Sequence, residues 1–382
     1  MTTIKRLSSD IDRKRVLERI DISKEGRAII SQKMDLEFIY IKDLKTPAAN
    51  ILKQDALSIG AELAVPKDTI VCKDSLVDAL LIINKRRLKT LIKKEKAQPF
   101  GLKQLSSDLE KFLVEKEFEP KIMGVLNANS DSFYDKSRFD IKFASQMIEK
   151  MIEDGADIID IGAVSSRPGS IGVSEGEELE RLKDIVSLIY KNRYFEKVLF
   201  SIDSYSPISI EYSLDHGFSI VNDITGLSSD EVCSITSKYN AKVVIMHMRG
   251  TPKDMQKDPH YDDIIVDIDN FFKERIEKAR SFGIEDIVLD VGIGFGKSLE
   301  HNLLLIKHLE HFRHFGYELL IGASRKSMID MIKKTPVEDR LPATLAIHQK
   351  ALENGASIIR VHDVKEHTQM LSVYRALKES LI

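Results

Sequence analysis

Charged and amide side chains stand where several short apolar runs of the sequence end. Asp203, Asn222 and Asp290 supply carboxylate and amide groups after three different runs, and Lys326 follows a fourth. Carboxylate and amide oxygens can accept hydrogen bonds from the N–H groups of a flat heterocycle, and a lysine can donate to a ring carbonyl. Carboxylates buried without such partners would be costly. These residue types therefore predict a binding site for a nitrogen-rich ring.

A second group of side chains suits an anion. Arg360 and His362 are two residues apart on one apolar run, so both project from the same face of a strand. Asn127 and Arg167 follow two other runs. A guanidinium can also stack on an aromatic ring, so Arg360 could contact both the ring and the anion.

The elements that must position these groups alternate along the chain. From Lys121 onward, about eight short apolar runs are separated by charged segments of helical period, which predicts parallel strands covered by crossover helices. Eight such units in about 250 residues is the size of a (β/α)8 TIM barrel. An open doubly wound sheet could have the same alternation, but the unit count favours closure. The predicted strands are 121–128, 156–163, 198–203, 219–224, 242–248, 286–291, 318–323 and 357–363, and the clearest predicted helices are 141–154, 175–191 and 262–282.

Barrel closure would bring the polar strand ends together. In parallel barrels, catalytic groups come from the carboxyl ends of the strands and the loops that follow them. The glycine-rich segment 290–297 matches neither the dinucleotide-binding pattern nor the phosphate loop of nucleotide hydrolases. We interpret it as a tight turn that lets Asp290 point into the mouth and presents Phe295 beside it.

The chain divides into residues 113–382, which form the predicted barrel, and residues 1–112, which differ in pattern. The first part has charged helical stretches, of which 74–96 is one, and short apolar runs at 37–41 and 70–72. It contains no recognisable chemical motif. We predict a small α+β domain or extension with a stabilising or oligomerising role.

Composition excludes several classes of function. The net charge of −3 gives no broad attraction to nucleic acid or to anionic membranes. Cys72 and Cys233 are far apart and lack metal-ligand spacing, so neither a disulfide framework nor a zinc site is expected. No run of about 18 uncharged apolar residues is present, and the amino terminus lacks the apolar core of a signal peptide. A cytoplasmic protein is predicted.

An ordered series of motifs resembles those of bacterial dihydropteroate synthases over about residues 121–377. The matching segments are 123–127, 131–133, 160–162, 166–169, 203, 222–224, 246–248, 290–297, 324–326 and 360–363. The resemblance implies a condensation of (7,8-dihydropterin-6-yl)methyl diphosphate with 4-aminobenzoate to give 7,8-dihydropteroate and diphosphate. It also implies Mg2+ as the cofactor, a homodimer, sensitivity to sulfonamides, and a dissociative substitution that needs no protein nucleophile.

The resemblance assigns roles to individual residues. It implies catalytic roles for Lys326, Arg360, His362 and Asp203. The pterin would be bound by Asp203, Asn222, Met246, Asp290, Phe295, Gly322, Lys326 and Arg360. The diphosphate would be bound by Asn127, Ser166, Arg167, Arg360 and His362, with Asn127 as the metal ligand, and 4-aminobenzoate by Ser327, Arg167 and Pro168. Ser327 is expected to begin a helix, whose first N–H groups attract a carboxylate.

Departures from the family pattern concern two loops. The usual proline and paired glycines are missing after Asn127, and Val164 stands where a glutamate is usual. Val291 follows Asp290 where proline is common. Two alternatives stay open: a barrel that transfers a methyl group from methyltetrahydrofolate to a corrinoid protein, and a pterin-binding protein without activity. The first would not need Arg167, Arg360 and His362.

Overall fold

The computed structural model describes residues 2, 4–8, 11–114, 116–128, 141–164, 173–251, 255 and 259–380. The chain forms two compact units. One comprises Met1–Glu115 together with Arg375–Ile382, and the other comprises Lys116–Tyr374. Among the described residues, no helix has the length and apolar character needed to cross a membrane.

The first unit is a small α+β structure. Its three-stranded antiparallel sheet has the order β1-β3-β2 and buries leucine, isoleucine and alanine side chains against helices α3 to α5. The elements are α1 (Arg13–Arg19), α2 (Lys24–Ser31), β1 (Glu37–Lys45), α3 (Thr46–Ser58), β2 (Glu62–Ala64), β3 (Leu76–Ile83), α4 (Lys85–Glu95) and α5 (Leu102–Glu110), with 3-10 turns at Thr69–Val71 and Lys111–Leu113.

The helix predicted over 74–96 was wrong in its first half. Strand β3 occupies Leu76–Ile83, and α4 begins only after Asn84, whose side chain caps the helix by accepting from the Arg87 N–H. Every second residue from Val77 to Ile83 is buried, which is the period of a strand with one covered face. The apolar residues of 70–72 belong to a 3-10 turn.

The second unit confirms the predicted fold class, because its eight parallel strands close into a barrel in the order β10-β11-β4-β5-β6-β7-β8-β9. Each predicted strand is present within a few residues of its expected bounds. The strands are β4 (Lys121–Asn127), β5 (Ile158–Gly162), β6 (Leu199–Asp203), β7 (Ile220–Asp223), β8 (Lys242–Met246), β9 (Ile287–Asp290), β10 (Glu318–Ile321) and β11 (Ile358–Val361).

Helices alternate with these strands. They are α6 (Ile141–Glu153), α7 (Glu175–Lys191), α8 (Pro207–Asp215), α9 (Asp230–Lys238), α10 (Ile264–Ser281), α11 (Leu299–Lys307), α12 (Ser327–Ile332), α13 (Leu341–Glu353) and α14 (Val364–Glu379), and 3-10 turns lie at Tyr194–Glu196, Leu309–Phe315 and Val337–Asp339. Their apolar faces form one large core with the outer faces of the strands.

The barrel interior contains an apolar layer and, at the amino ends of the strands, a layer of paired charges. A cluster of seven buried apolar side chains, one from each of seven strands, fills the interior: Met123, Ile158, Ile220, Val244, Val288, Leu320 and Ile358. At the amino ends of the strands, the buried Glu318 carboxylate accepts from Lys121 Nζ at 2.7 Å and from Lys242 Nζ at 2.6 Å. The candidate site residues Asp203, Asn222 and Asp290 stand at the opposite, carboxyl ends of their strands, and the barrel end that holds them is called the mouth.

Candidate active site

Arg360 is the centre of the mouth. From the end of β11 its Nε donates to Asp160 Oδ2 at 2.7 Å, and its terminal nitrogen donates to Asp203 Oδ2 at 2.6 Å. Asn222 Nδ2 also donates to Asp160 Oδ2, at 3.0 Å. The side chains of four strands thus meet in one hydrogen-bonded group. Asp160 Oδ1 is buried and has no protein partner among the described residues.

The charged side chains of this group shift one another's pKa values. Burial raises the pKa of Asp203 to about 7, opposed by the Arg360 guanidinium and reinforced by the Asp160 carboxylate. Burial opposes the charge of Arg360, yet Asp160 and Asp203 raise its pKa above the usual range. Arg360 is therefore a permanent cation, whereas Asp203 changes charge near neutral pH.

The glycine-rich turn after β9 holds the Asp290 carboxylate through a backbone N–H. The Gly292 N–H donates to Asp290 Oδ1 at 2.8 Å, and Gly292 has a φ of 67°. A Cβ atom at Gly292 would lie 2.0 Å from the carbonyl oxygen of His247, so only glycine fits this approach. Burial raises the pKa of Asp290, and the Gly292 N–H and the charge of Lys326 oppose that rise.

Lys326 and Phe295 lie beside Asp290. Lys326 Nζ is 4.3 Å from the centre of the Phe295 ring and donates to the Ile293 carbonyl oxygen. Burial lowers the pKa of Lys326 to about 8, although Asp290 favours its charged form. Met246 ends β8 and is paired in register with Asp290. An added Cβ at Gly322 would lie 3.7 Å from Arg360 Cβ, so this glycine lies against the guanidinium-bearing residue.

Three residues beneath the mouth were given no site role by the sequence. Asp160 entered only through the matching segment 160–162, yet it binds both Arg360 and Asn222. Lys297 is buried and lies 3.0 Å from His247 Nδ1 and 3.0 Å from the Phe295 carbonyl oxygen. Burial and the two neighbouring cations lower the pKa of His247 to about 2, and burial holds the pKa of Lys297 well below its usual range. This buried pair contacts the turn through the Phe295 carbonyl oxygen, and no sequence spacing indicates the contact.

The structure describes only some of the residues predicted to bind the diphosphate and 4-aminobenzoate. His362 is exposed just beyond β11 and its Nδ1 lies 2.9 Å from Ser324 Oγ. Asn127 ends β4, the strand paired with β11. Ser327 is exposed at the first position of the six-residue helix α12. The predicted ligands Ser166, Arg167 and Pro168 lie outside the described residues.

One three-residue group in the described part of the chain could hold a metal ion through its side chains. It comprises Asp269 on α10 and His311 and His314 in the Leu309–Phe315 turn. This group lies in the helix layer, and its imidazole nitrogens do not suit Mg2+, which prefers oxygen ligands. The amide oxygen of the half-buried Asn127 does suit Mg2+ and stands at the mouth.

Comparison with known proteins gives consistent matches. The model of a family described as pterin binding enzyme matches residues 123–362. A bifunctional dihydropteroate synthase/dihydropteroate reductase of Helicobacter pylori is 42% identical over 379 residues, which are 99% of each chain. A Yersinia pestis dihydropteroate synthase in a sulfonamide drug complex has a TM-score of 0.64 and 38% identity, covering 69% of this chain and 95% of that one. A Xanthomonas albilineans dihydropteroate synthase with 4-aminobenzoic acid has a TM-score of 0.64 and 31% identity, covering 69% and 94%.

Proposed function

The chain belongs to the pterin-binding enzyme family as a dihydropteroate synthase, and we propose how its barrel mouth binds and joins the two substrates. The reaction forms a bond between the amine nitrogen of 4-aminobenzoate and the methylene carbon of (7,8-dihydropterin-6-yl)methyl diphosphate. The bond from that carbon to the diphosphate oxygen breaks, and the amine nitrogen gives up one proton, which leaves with the diphosphate or to solvent. The observation that carries the proposal is the group of strand-end side chains around Arg360.

The pterin ring lies, in this proposal, over that group. Asp290, Asn222 and Asp203 accept from its N–H groups, because all three offer oxygens at the carboxyl ends of separate strands. Lys326 donates to the ring carbonyl, while Arg360 stacks on one face of the ring. Met246, Phe295 and Gly322 line the pocket. Asp160 Oδ2 accepts from both Asn222 and Arg360 and holds them in place.

The diphosphate lies on the side of His362 and Arg360, together with Asn127, Ser166 and Arg167. The Arg360 guanidinium is charged at every working pH and stabilises negative charge that develops on the leaving oxygen. Asn127 would hold Mg2+ through its amide oxygen, and the ion would supply neutralisation of the diphosphate charge. Support comes from the half-buried position of Asn127 next to β11.

The second substrate approaches from the solvent side. Ser327, Arg167 and Pro168 bind the carboxylate of 4-aminobenzoate, which leaves its amine facing the pterin methylene carbon. The exposed position of Ser327 and the 4-aminobenzoic acid in the X. albilineans structure support this placement. The electron pair of the cleaved bond leaves with diphosphate before the amine attacks. The Asp203 and Asp290 carboxylates favour the resulting pterin methyl cation, so no protein nucleophile is needed.

Product analysis tests this function. The purified chain receives the pterin diphosphate, Mg2+ and 4-aminobenzoate, with each component omitted in turn. We expect dihydropteroate and diphosphate in equal amounts only when all components are present. Pterin binding without product would contradict the proposal and would favour the non-catalytic alternative. Transfer of a methyl group from methyltetrahydrofolate to a corrinoid would favour the other.

A second activity is favoured by the H. pylori relative. That protein is named for a synthase and a dihydropteroate reductase and matches 99% of this chain, whereas the Y. pestis synthase covers 69%. The additional similarity therefore includes the first unit. We propose that this chain also reduces its product: a hydride from a reduced nicotinamide or flavin adds to C6 of dihydropteroate, and a proton adds to N5.

Anaerobic incubation tests the reductase activity. The full chain is mixed with dihydropteroate and either NADPH alone or NADPH with flavin, and tetrahydropteroate is measured by mass spectrometry. We expect product only when a hydride donor is present. Unchanged dihydropteroate with both donor mixtures, from a preparation active as a synthase, would contradict the second activity and leave the first intact.

A cytoplasmic homodimer completes the proposal, supported by the resemblance to the synthase family. Sedimentation at micromolar concentration should give about twice the chain mass of 43.4 kDa. A species of 43.4 kDa alone would contradict the dimer.

A further inference from the structure

Two buried histidines lie behind the mouth and do not touch it. His348 is on α13 and His367 is on α14, and both side chains are fully buried. The Ala323 N–H donates to His348 Nε2 at 3.1 Å, His348 Nδ1 lies 2.9 Å from His367 Nε2, and His367 Nδ1 lies 2.6 Å from the Asp363 carbonyl oxygen. Neither histidine was singled out from the sequence.

These contacts permit one arrangement of protons. His348 Nε2 accepts from a backbone N–H, so it carries no proton and its Nδ1 must be the donor to His367 Nε2. His367 then carries its proton on Nδ1 and donates to the Asp363 carbonyl oxygen. Burial lowers the pKa of both histidines, which agrees with two neutral rings. The result is a directed chain of three hydrogen bonds from Ala323 to Asp363.

Both ends of this chain adjoin residues of the mouth. Ala323 precedes Ser324, whose Oγ accepts from the His362 N–H at 3.3 Å and lies 2.9 Å from His362 Nδ1. Asp363 follows His362, and its carboxylate binds the Arg325 guanidinium at 2.7 and 2.9 Å. The segments after β10 and β11 are thus joined at the surface by Arg325 and from behind by the two histidines.

We propose that His348 and His367 are positioning residues for the diphosphate side of the mouth. They fix the backbone after β10 and β11 so that His362 is held in place for the leaving group. The pterin side depends on this chain only in part, because Lys326 and Arg360 belong to the ends of β10 and β11 whereas Asp203, Asn222 and Asp290 end three other strands. The inference rests on the proposed function, since it takes His362 to bind diphosphate.

Matched substitutions test the proposal in the full-length chain. Glutamine can accept and donate as the histidine does, whereas leucine has similar bulk and can do neither. His348→Leu should weaken binding of inorganic diphosphate in the presence of Mg2+ by about tenfold or more, the effect of about 1.4 kcal/mol. Binding of 6-hydroxymethyl-7,8-dihydropterin, which lacks the diphosphate, should change by less than about threefold, and kcat should fall with diphosphate affinity. His348→Gln should retain most of both.

A control and a second measurement keep the test decisive. His216→Leu removes a histidine that bonds to the Tyr212 carbonyl oxygen away from the mouth, and it should leave diphosphate affinity unchanged. Equal loss of pterin and diphosphate binding in His348→Leu, or unchanged diphosphate binding, would overturn the inference. If that variant does not fold, nitrogen NMR of the wild-type histidines decides: both rings must carry the proton on Nδ1, and an Nε2–H form of either would overturn it. A wild-type chain that makes no dihydropteroate would instead refute the proposed function.

Discussion

At the residue scale, burial has moved the pKa values of two mouth residues of opposite charge toward neutrality. Asp203 has a pKa of about 7 and Lys326 a pKa of about 8. At neutral pH, a carboxyl group with a pKa of about 7 is divided between its neutral and ionised forms, whereas a lysine with a pKa of about 8 is still mostly charged. A ligand that needs an acceptor at Asp203 and a charged donor at Lys326 must therefore select the ionised form of Asp203, and it meets a charged Lys326 only below about pH 8.

Pterin affinity should follow the charges of these two residues. Because a ring N–H binds an ionised Asp203 more strongly, affinity should rise as pH increases through about 7. It should fall again above about 8, where Lys326 loses its charge. Titration of pterin binding against pH measures both limbs. Asp203→Asn should remove the acidic limb and leave the basic one, and a wild-type profile that is flat across both values would contradict the assignment.

Removing a cation from the mouth should abolish most turnover without unfolding the barrel. Lys326→Ala and Arg360→Ala should each lower kcat by about a hundredfold or more, since a preorganised donor contributes on that order. Circular dichroism should stay close to wild type in both variants, whereas the melting temperature of Arg360→Ala should fall because the buried Asp160 and Asp203 carboxylates lose their counter-charge. Lys334→Ala, at an exposed lysine paired with Asp330, is the control and should have full activity. Near-normal activity in either mouth variant would show that the site is assigned wrongly.

At the element scale, the turn after β9 depends on glycine for a steric reason. In Gly292→Ala the new methyl group would meet the His247 carbonyl oxygen, so the turn must move and carry Asp290 and Phe295 with it. We expect weaker pterin binding and a lower melting temperature. Gly176→Ala, on α7, where an added Cβ would have no described atom within 4 Å, should instead stabilise the chain by about 1 kcal/mol. Equal behaviour of the two variants would contradict this account of the turn.

Local periodicity explains which elements the sequence predicts. Each barrel strand is a short apolar run flanked by a charged helical segment, so its position follows from burial on both faces. Strand β3 alternates buried and more exposed residues, with Val77, Ala79, Leu81 and Ile83 buried. It was missed because no turn residues separate it from Asn84, the cap of α4. Of the predicted polar strand ends, Asp203, Asn222 and Arg360 do come together, through Asp160, whereas Arg167 lies outside the described residues. Contacts across large sequence separations, such as Lys297 with His247 or His348 with His367, leave no periodic signal.

At the scale of the whole molecule, residues that stabilise the barrel and residues proposed to bind substrate lie at opposite ends of its strands. Glu318 lies at the end opposite the mouth, and its hydrogen bonds to Lys121 and Lys242 outweigh its burial and lower its pKa. A lowered pKa in the folded state means that this carboxylate stabilises the fold above its unfolded pKa. That stability is lost as pH falls through the lower, folded value.

Substitution of Glu318 should therefore affect stability alone. Glu318→Gln should reduce the free energy of unfolding by about 1–3 kcal/mol, because two partly buried lysines lose their counter-charge and partial exposure limits the cost. Once folded, the variant should have wild-type kcat. Chemical denaturation and steady-state kinetics measure the two quantities. Glu285→Gln, at an exposed carboxylate, is the control, and a fall in kcat without lost stability would contradict this division of roles.

The most direct test of the central claim is a crystal structure of the full chain with the pterin substrate, Mg2+ and an unreactive analogue of 4-aminobenzoate. The account predicts the pterin between Lys326 and Arg360, with its N–H groups on Asp290 and Asn222. The diphosphate should lie against His362 and Asn127. A pterin bound elsewhere, or one bound at the mouth with its diphosphate directed away from His362, would contradict it.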